Sequence, residues 1–357
     1  MTLAFFTFPY IPSLESGRGV DRLSYYIKRE LLNNEHNCRI VDGSELRGKN
    51  TLSKVISRGF NLYKFLNNGE DSRYLAVTPY SGAILSLLKR KPLATMIHDL
   101  VPFEINNQIY YSFKSKIEKL AVRERYKISI RNSDLVIVPF KYTERRLIEL
   151  FDLDKSKIEI VGYGIDINQS KEEILLTKCE NETFKILFIG GLNPIERGGL
   201  LIPAIAKILS STGIDFQFIV SSKYELLIQI MGRVDSLGVS HMFKFIDFIP
   251  ESQLDMVMRS VDLFLYPSLL GFSLLLMQAL ANGLPILVSK RFDNIEFASN
   301  FGYLVEDNSP ETFANEILRI ATDKTFRNSL IKRSIDFIKD KSASRMSQRI
   351  IDVVMRM

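Results

Sequence analysis

Short apolar runs rich in β-branched and aromatic residues recur along the chain, and most are followed by a segment whose apolar residues keep helical spacing. In the first half, "TLAFFTF" (2–8) precedes a helix in which Val20, Leu23, Ile27 and Leu31 share one face. "YLAVTPY" (74–80), "PLATMIHDL" (92–100), "SDLVIVPF" (133–140) and "KIEIVGYG" (157–164) continue the series. The second half repeats the scheme with "FKILFIGGL" (184–192), "DFQFIVSS" (215–222), "KFIDFIP" (244–250), "VDLFLYPS" (261–268) and "LPILVSK" (284–290). A strand apolar on both sides has to be covered on both sides, and such strands separated by helices pair in parallel. The chain is therefore predicted to be α/β, with two doubly wound sheets. Its 357 residues suit two domains. These are expected at 1–168 and 183–340, divided by the polar stretch near Asn168 to Thr183, with a helix over about 341–357 packing back on the first. Ligands of such sheets bind beyond the carboxyl ends of the strands, and two facing domains make a cleft there.

From Leu263 to Ser289 there is no charged residue, which raises the question of a membrane span. Pro267, Gly271, Asn282, Gly283 and Pro285 cut the run into strand, loop, helix, turn and strand. The helix expected over about 272–281 is shorter than the roughly 20 residues a bilayer requires. The N-terminal "MTLAFFTFPYIPS" has no basic region and carries Pro9 and Pro12, so it reads as a first strand and not as a signal peptide. The two cysteines, Cys38 and Cys179, are far apart in sequence, which indicates neither a disulfide framework nor a zinc site and fits a reducing, cytoplasmic compartment.

The net charge of +6 is uneven: residues 1–166 carry +7 and the remainder −1. Between Lys114 and Arg131, seven basic residues face two acidic ones. Such a segment suits an anionic membrane surface, a phosphate-bearing acceptor or nucleic acid, and equally a solvated helix face. No aromatic RNA-binding motif, zinc finger or helix-turn-helix accompanies it, so nucleic acid is not expected as a partner. Peripheral attachment at the inner face of the membrane is the expectation this segment adds to a cytoplasmic location.

Three loops after strands hold polar groups with chemical potential. Gly17 and Gly19 lie between the first strand and the first helix, where backbone N–H groups favour phosphate. His98 directly follows a strand end and precedes Asp99. "GGLNPIERGG" (190–199) is glycine-rich with Arg197 at the helix entrance, though it is not a P-loop. Asp152-Leu153-Asp154 has the spacing of a metal-nucleotide motif, but it falls between a helix and a lysine-rich turn and reads as a connection. No metal is expected.

The order and spacing of "RGVDRLSYYIKREL", "IHDLVPFE", "SDLVIVPFKYTERRLIELFDLDKSKIEIVGYGID", "FKILFIGGLNPIERGG", "FKFIDFIPESQLDMVMRSVDLFLYPS" and the 261–290 stretch resembles glycosyltransferase family 4 over nearly the whole chain. That family has the GT-B fold, two Rossmann-like domains facing a cleft, and transfers sugars with retention and without a metal. The resemblance implies no cofactor, a nucleotide-diphosphate sugar as donor, a glycan or lipid-linked acceptor, and a place in glycan or cell-envelope polysaccharide biosynthesis. It makes His98 the catalytic candidate on the sugar side. Donor binding falls to Arg18 and Gly19, to Gly190, Gly191 and Arg197, to the backbone at Gly271, Phe272, Ser273 and Leu274, and to Gln278 at the ribose.

The departures are specific. Leu270 and Gln278 stand where the family has two glutamates, for sugar and ribose hydroxyls respectively. Ser273 replaces a glycine, and Gly191 replaces the diphosphate-binding arginine. The partner lysine corresponds to Glu196, or to Arg197 if the loop is one residue longer; Arg197 is preferred because "RGG" then matches the "KGG" of part of the family. A hydrogen bond to a charged group is worth roughly 1.5–3 kcal/mol, so three uncompensated losses amount to about 10³-fold or more. The alternative reading is a catalytically silent homologue that binds glycan or a partner glycosyltransferase.

Overall fold

Every apolar run quoted above overlaps a strand of a parallel sheet in the computed structural model of the protein, which describes residues 3–7, 10–14, 19–34, 37–42, 73–104, 116–167, 183–191, 194–268, 270–291, 293–299 and 303–357. Gly17, Arg18, Lys114 and the polar divider from Asn168 up to 182 lie outside the described residues. The chain forms two compact units, the first from Met1–Phe103, Ser115–Gly164 and Ala343–Met357, the second built on Ile165–Ser342.

The first unit runs β1 (Leu3–Phe6), α1 (Gly19–Asn33), β2 (Cys38–Val41), β3 (Arg73–Ala76), α2 (Pro79–Leu87), β4 (Leu93–Met96), α3 (Lys116–Asn132), β5 (Leu135–Val138), α4 (Lys141–Phe151) and β6 (Ile158–Ile160). Its sheet order is β2-β1-β3-β4-β5-β6, with every pairing parallel. β1 and β4 are buried along their whole length, which is why their sequences do not alternate. The helical face read from sequence packs Leu23, Ile27 and Leu31 of α1 against Leu3 and Phe5. Thr78 caps α2 by accepting from the Ser81 N–H at 3.2 Å, with Pro79 in the first helical position. A Cβ on Gly82 would lie 2.1 Å from Ser129 Oγ, so α2 and α3 approach too closely for any side chain there. The Asp-Leu-Asp sequence is turn chemistry: Asp152 ends α4 in the left-handed region, and Asp154 accepts from the Ser156 N–H at 2.9 Å.

The second unit runs β7 (Phe184–Gly191), α5 (Ile202–Leu209), β8 (Phe216–Ser222), α6 (Tyr224–Ser236), β9 (Phe243–Ile246), α7 (Glu251–Arg259), β10 (Leu263–Tyr266), α8 (Leu274–Ala281), β11 (Ile286–Ser289), β12 (Tyr303–Val305), α9 (Pro310–Thr322) and α10 (Lys324–Ile338). Its sheet order is β12-β11-β10-β7-β8-β9, again all parallel. Strand order therefore reverses between β7 and β10. Two helix starts differ from expectation. After Gly198 the chain makes a 3₁₀ turn, Gly199–Leu201, before α5 begins. The helix placed at 272 begins at Leu274, because Ser273 is extended (φ −136°, ψ 141°) and turns its hydroxyl to the Leu275 N–H as the cap.

Helix α11 (Ala343–Met355) returns to the first unit, where Met346, Ile350, Ile351 and Val354 join the core of Leu23 and Ile27. Among the described residues no helix is long and apolar enough to cross a membrane.

Candidate functional site

In an open parallel sheet the ligand crevice lies outside the carboxyl ends of the two strands where the order reverses. For the second unit these are β7 and β10, and the loops that leave them are 190–199 and 267–273. The two loops are locked together. Gly198 is left-handed (φ 83°), and a Cβ on it would lie 1.9 Å from the Pro267 carbonyl oxygen. Only glycine allows this approach. It brings the neighbouring Arg197 to Tyr266, the last residue of β10: Nη1 donates to the tyrosine hydroxyl, and the guanidinium carbon lies 5.5 Å from the ring centroid. The hydroxyl in turn donates to the Gly271 carbonyl at 3.0 Å. Arg197 is half-buried, whereas Glu196 is only 1% exposed. A Cβ on Gly190 would meet Pro194 at 2.5 Å, but Gly191 has open space around it and a left-handed backbone (φ 58°), its carbonyl accepting from Ser222 Oγ at 2.6 Å.

An unforeseen carboxylate from the segment after β11 is bound to the loop after β10. Asp293, 4% exposed, accepts from the Phe272 N–H at 2.9 Å, and a Cβ on Gly271 would fall 2.1 Å from the same oxygen. One backbone amide expected to serve phosphate is thus engaged by the protein itself. Leu270 is half-buried, its N–H donating to Ser268 Oγ at 3.0 Å. Gln278 is 6% exposed and donates through Nε2 to Asp255 Oδ1 on α7. Asn282 donates to that same oxygen at 2.7 Å.

In the first unit the reversal lies between β1 and β3. His98 stands just past β4, with Nε2 2.7 Å from the carbonyl of Val77, the residue that follows β3. Nδ1 lies 3.1 Å from the Tyr163 hydroxyl, and the two rings stack at 6.3 Å. A carbonyl only accepts, so Nε2 carries the proton and Nδ1 accepts from Tyr163. Burial lowers the imidazole pKa to about 4 against the opposing effect of the Val77 bond, so His98 is neutral near pH 7. Gly19 is the exposed first residue of α1.

The basic segment is partly consumed internally. Arg123 donates to the Pro102 carbonyl at 2.7 Å and lies 5.5 Å from the Phe103 ring centroid; Arg125 lies 5.0 Å from that of Tyr80, and Lys127 pairs with Glu124 at 2.6 Å. Lys119 is buried, which lowers its pKa. At the start of the same helix Ile117 and Leu120 are 79% and 59% exposed. Among the described residues no group of three or more His, Cys, Asp or Glu is gathered as a metal site.

Two family models and several solved structures identify the family and the fold. The family model for glycosyl transferases group 1 matches residues 166–337, and that for Glycosyltransferase Family 4 matches residues 27–169. The chain belongs to glycosyltransferase family 4. Its fold is that of the GT-B transferases: HepE of Anabaena, solved with UDP and glucose, superposes with a TM-score of 0.73 over 100% of both chains at 16% identity. An uncharacterized glycosyltransferase of Methanocaldococcus jannaschii is 24% identical over 277 residues, 74% of this chain and 69% of that protein. The Escherichia coli UDP-Gal:α-D-GlcNAc-diphosphoundecaprenol α-1,3-galactosyltransferase is 24% identical over 215 residues, 53% of this chain and 54% of that enzyme. The chain spans about half the length of several further curated relatives.

Tyr163, Tyr266, Asp255 and Asp293 of this family 4 member belong to no site motif visible in the sequence. Two of them left a signal. A tyrosine closing a wholly apolar strand needs a partner for its hydroxyl, and an aspartate just beyond a strand end, as in "VSKRFDN", lies on the ligand side of the sheet.

Proposed function

We propose that this family 4 protein is a retaining, metal-independent transferase that moves a hexose-like residue from a nucleoside diphosphate donor to a glycan or lipid-linked acceptor in polysaccharide biosynthesis. The observation that carries the reading is the β7/β10 reversal, where the Gly198 to Pro267 contact sets Arg197 on Tyr266 beside the Gly271 loop. A guanidinium fork anchored in this way suits the oxygens of a diphosphate. The HepE structure with UDP and glucose supports a nucleotide-sugar donor, and the relative named for transfer to a diphosphoundecaprenol acceptor supports a lipid-linked one. In front-face substitution the departing diphosphate takes the acceptor proton. The acceptor oxygen then bonds to the anomeric carbon on the face from which the diphosphate leaves, and no protein nucleophile is used. The chain's part is to hold charge and dipoles around an oxocarbenium-like state. Arg197 bears on the diphosphate, and His98, being neutral, offers the sugar a dipole and not a cation.

Calorimetric titration with a panel of nucleotides and nucleotide sugars tests this, and absence of binding to all of them overturns it. Arg197→Ala is expected to weaken nucleoside diphosphate at least tenfold more than nucleoside; equal weakening removes Arg197 from the phosphate. Peripheral attachment to anionic membrane, and with it a cytoplasmic site of action, is proposed through the basic Lys114 to Arg131 segment, with the exposed Ile117 and Leu120 at the start of α3 as its apolar contacts. Liposome sedimentation that is insensitive to anionic lipid or to Leu120→Asp overturns that part.

One observation favours a second reading, a homologue that binds without transferring, alone or with a partner transferase: the Asp293 carboxylate already sits on the Phe272 amide. Its signature is nucleotide-sugar binding with neither hydrolysis nor transfer.

A further inference from the structure

The side-chain network that joins α7 to α8 has a polarity of its own. Asp255 and Gln278 each stand one turn inside a helix that leaves the carboxyl-terminal edge of the second sheet, α7 after β9 and α8 after β10. Gln278 Nε2 and Asn282 Nδ2 both donate to one oxygen of Asp255, Oδ1. Asn282 is held in this orientation from both ends: its Nδ2 also donates to the Gln278 carbonyl at 2.9 Å, and its Oδ1 accepts from Arg259 Nε at 3.0 Å. Arg259, one turn along α7, thus directs its Nε to Asn282 and not to Asp255. Among the described residues Asp255 has no ion-pair partner, and its second oxygen, Oδ2, accepts no hydrogen bond. The residue is half-buried, and neither of its oxygens is among the buried unpartnered atoms, so Oδ2 stays open to a ligand.

A fixed carboxylate with one oxygen tied by two amides and the other unoccupied is an acceptor for hydroxyl donors. Its unneutralised charge repels phosphate and matches a neutral vicinal diol, which presents two O–H groups. We infer that Asp255, oriented by Gln278 and Asn282, is the carboxylate that accepts hydrogen bonds from the ribose hydroxyls of the nucleotide, so that position 278 acts as a positioning residue. This rests on the transferase reading above. The acidic group absent from α8 is thereby supplied from α7, and the amides of α8 aim it.

The test uses the full chain and calorimetric titration with uridine, guanosine and adenosine diphosphates, their 2′-deoxy counterparts, and inorganic pyrophosphate. The best ribonucleotide is expected to bind tenfold or more tightly than its 2′-deoxy form, the worth of one hydrogen bond to a charged group. In Asp255→Ala that ratio is expected to fall below about twofold while pyrophosphate affinity stays as in the wild type. Wild-type protein that binds both sugar forms equally overturns the assignment without recourse to any variant, as does an Asp255→Ala protein that keeps the wild-type ratio. Binding without ribose preference removes the Asp255 assignment alone, whereas no binding of any nucleotide removes the transferase reading together with it.

Discussion

Gly191 shows how a residue lost from a family motif changes the backbone that carried it. Its left-handed φ of 58° suits glycine, yet nothing lies within 4 Å of where a Cβ would go. Gly191→Arg is therefore expected to cost about 1–2 kcal/mol of stability from backbone strain. It is also expected to tighten nucleoside diphosphate binding about tenfold by adding a cation. Thermal unfolding and calorimetry read the two effects separately. His98 gives a pH dependence with a defined sign. The unfolded imidazole takes a proton near its ordinary 6.5 and the folded one only at about 4, so the unfolded state binds more protons between these values. Stability is full above about pH 6.5 and is lost as pH falls through that window, by up to about 3 kcal/mol. Urea titrations from pH 7 to 4 are expected to show this slope in the wild type and a shallower one in His98→Asn. The sequence makes His98 visible as a polar residue at a strand end. It is silent on the tautomer, which Val77 and Tyr163 set from 21 positions upstream and 65 downstream.

At the scale of elements, the clearest sequence signals are those contained within one segment. Thr78 before Pro79, Ser309 before Pro310 and Asp323 before Lys324 cap helices as local hydrogen-bond chemistry dictates. The starts of α5 and α8 are not of this kind. The 3₁₀ turn at Gly199 follows from the approach of Gly198 to Pro267, 69 residues on, and Ser273 caps α8 two residues later than the charge-free sequence suggests. Because the Gly198 contact leaves no room for a methyl group, Gly198→Ala is expected to destabilise the second unit by about 2–4 kcal/mol through steric and backbone strain. The same change is expected to weaken nucleoside diphosphate binding as Arg197 shifts. Denaturant unfolding and calorimetry of that variant check both, and a wild-type transition midpoint contradicts the rigid contact.

For the whole molecule, the C-terminal helix α11 completes the first unit. Met346, Ile350, Ile351 and Val354 are buried there, each worth about 1.5–3 kcal/mol, against a typical domain stability of about 5–15 kcal/mol. A chain ending at Ser342 is expected to lose the calorimetric transition of the first unit and keep that of the second. Two retained transitions contradict the role of α11. Hydrophobic patterning is enough to specify the two series of parallel strands, because a strand buried on both faces must be apolar throughout and helices between such strands leave only parallel pairing. The helical faces and the local caps are equally legible in the chain, since periodicity and capping act within a few residues of one another. Strand order, and with it the reversal between β7 and β10, was decided only by the tertiary structure. So were the Asp293 carboxylate on the Phe272 amide and the aiming of Asp255 by Gln278 and Asn282. These join positions 21 to 27 residues apart through side chains on different elements, and no local pattern encodes which polar group a folded neighbour will bring within hydrogen-bond distance.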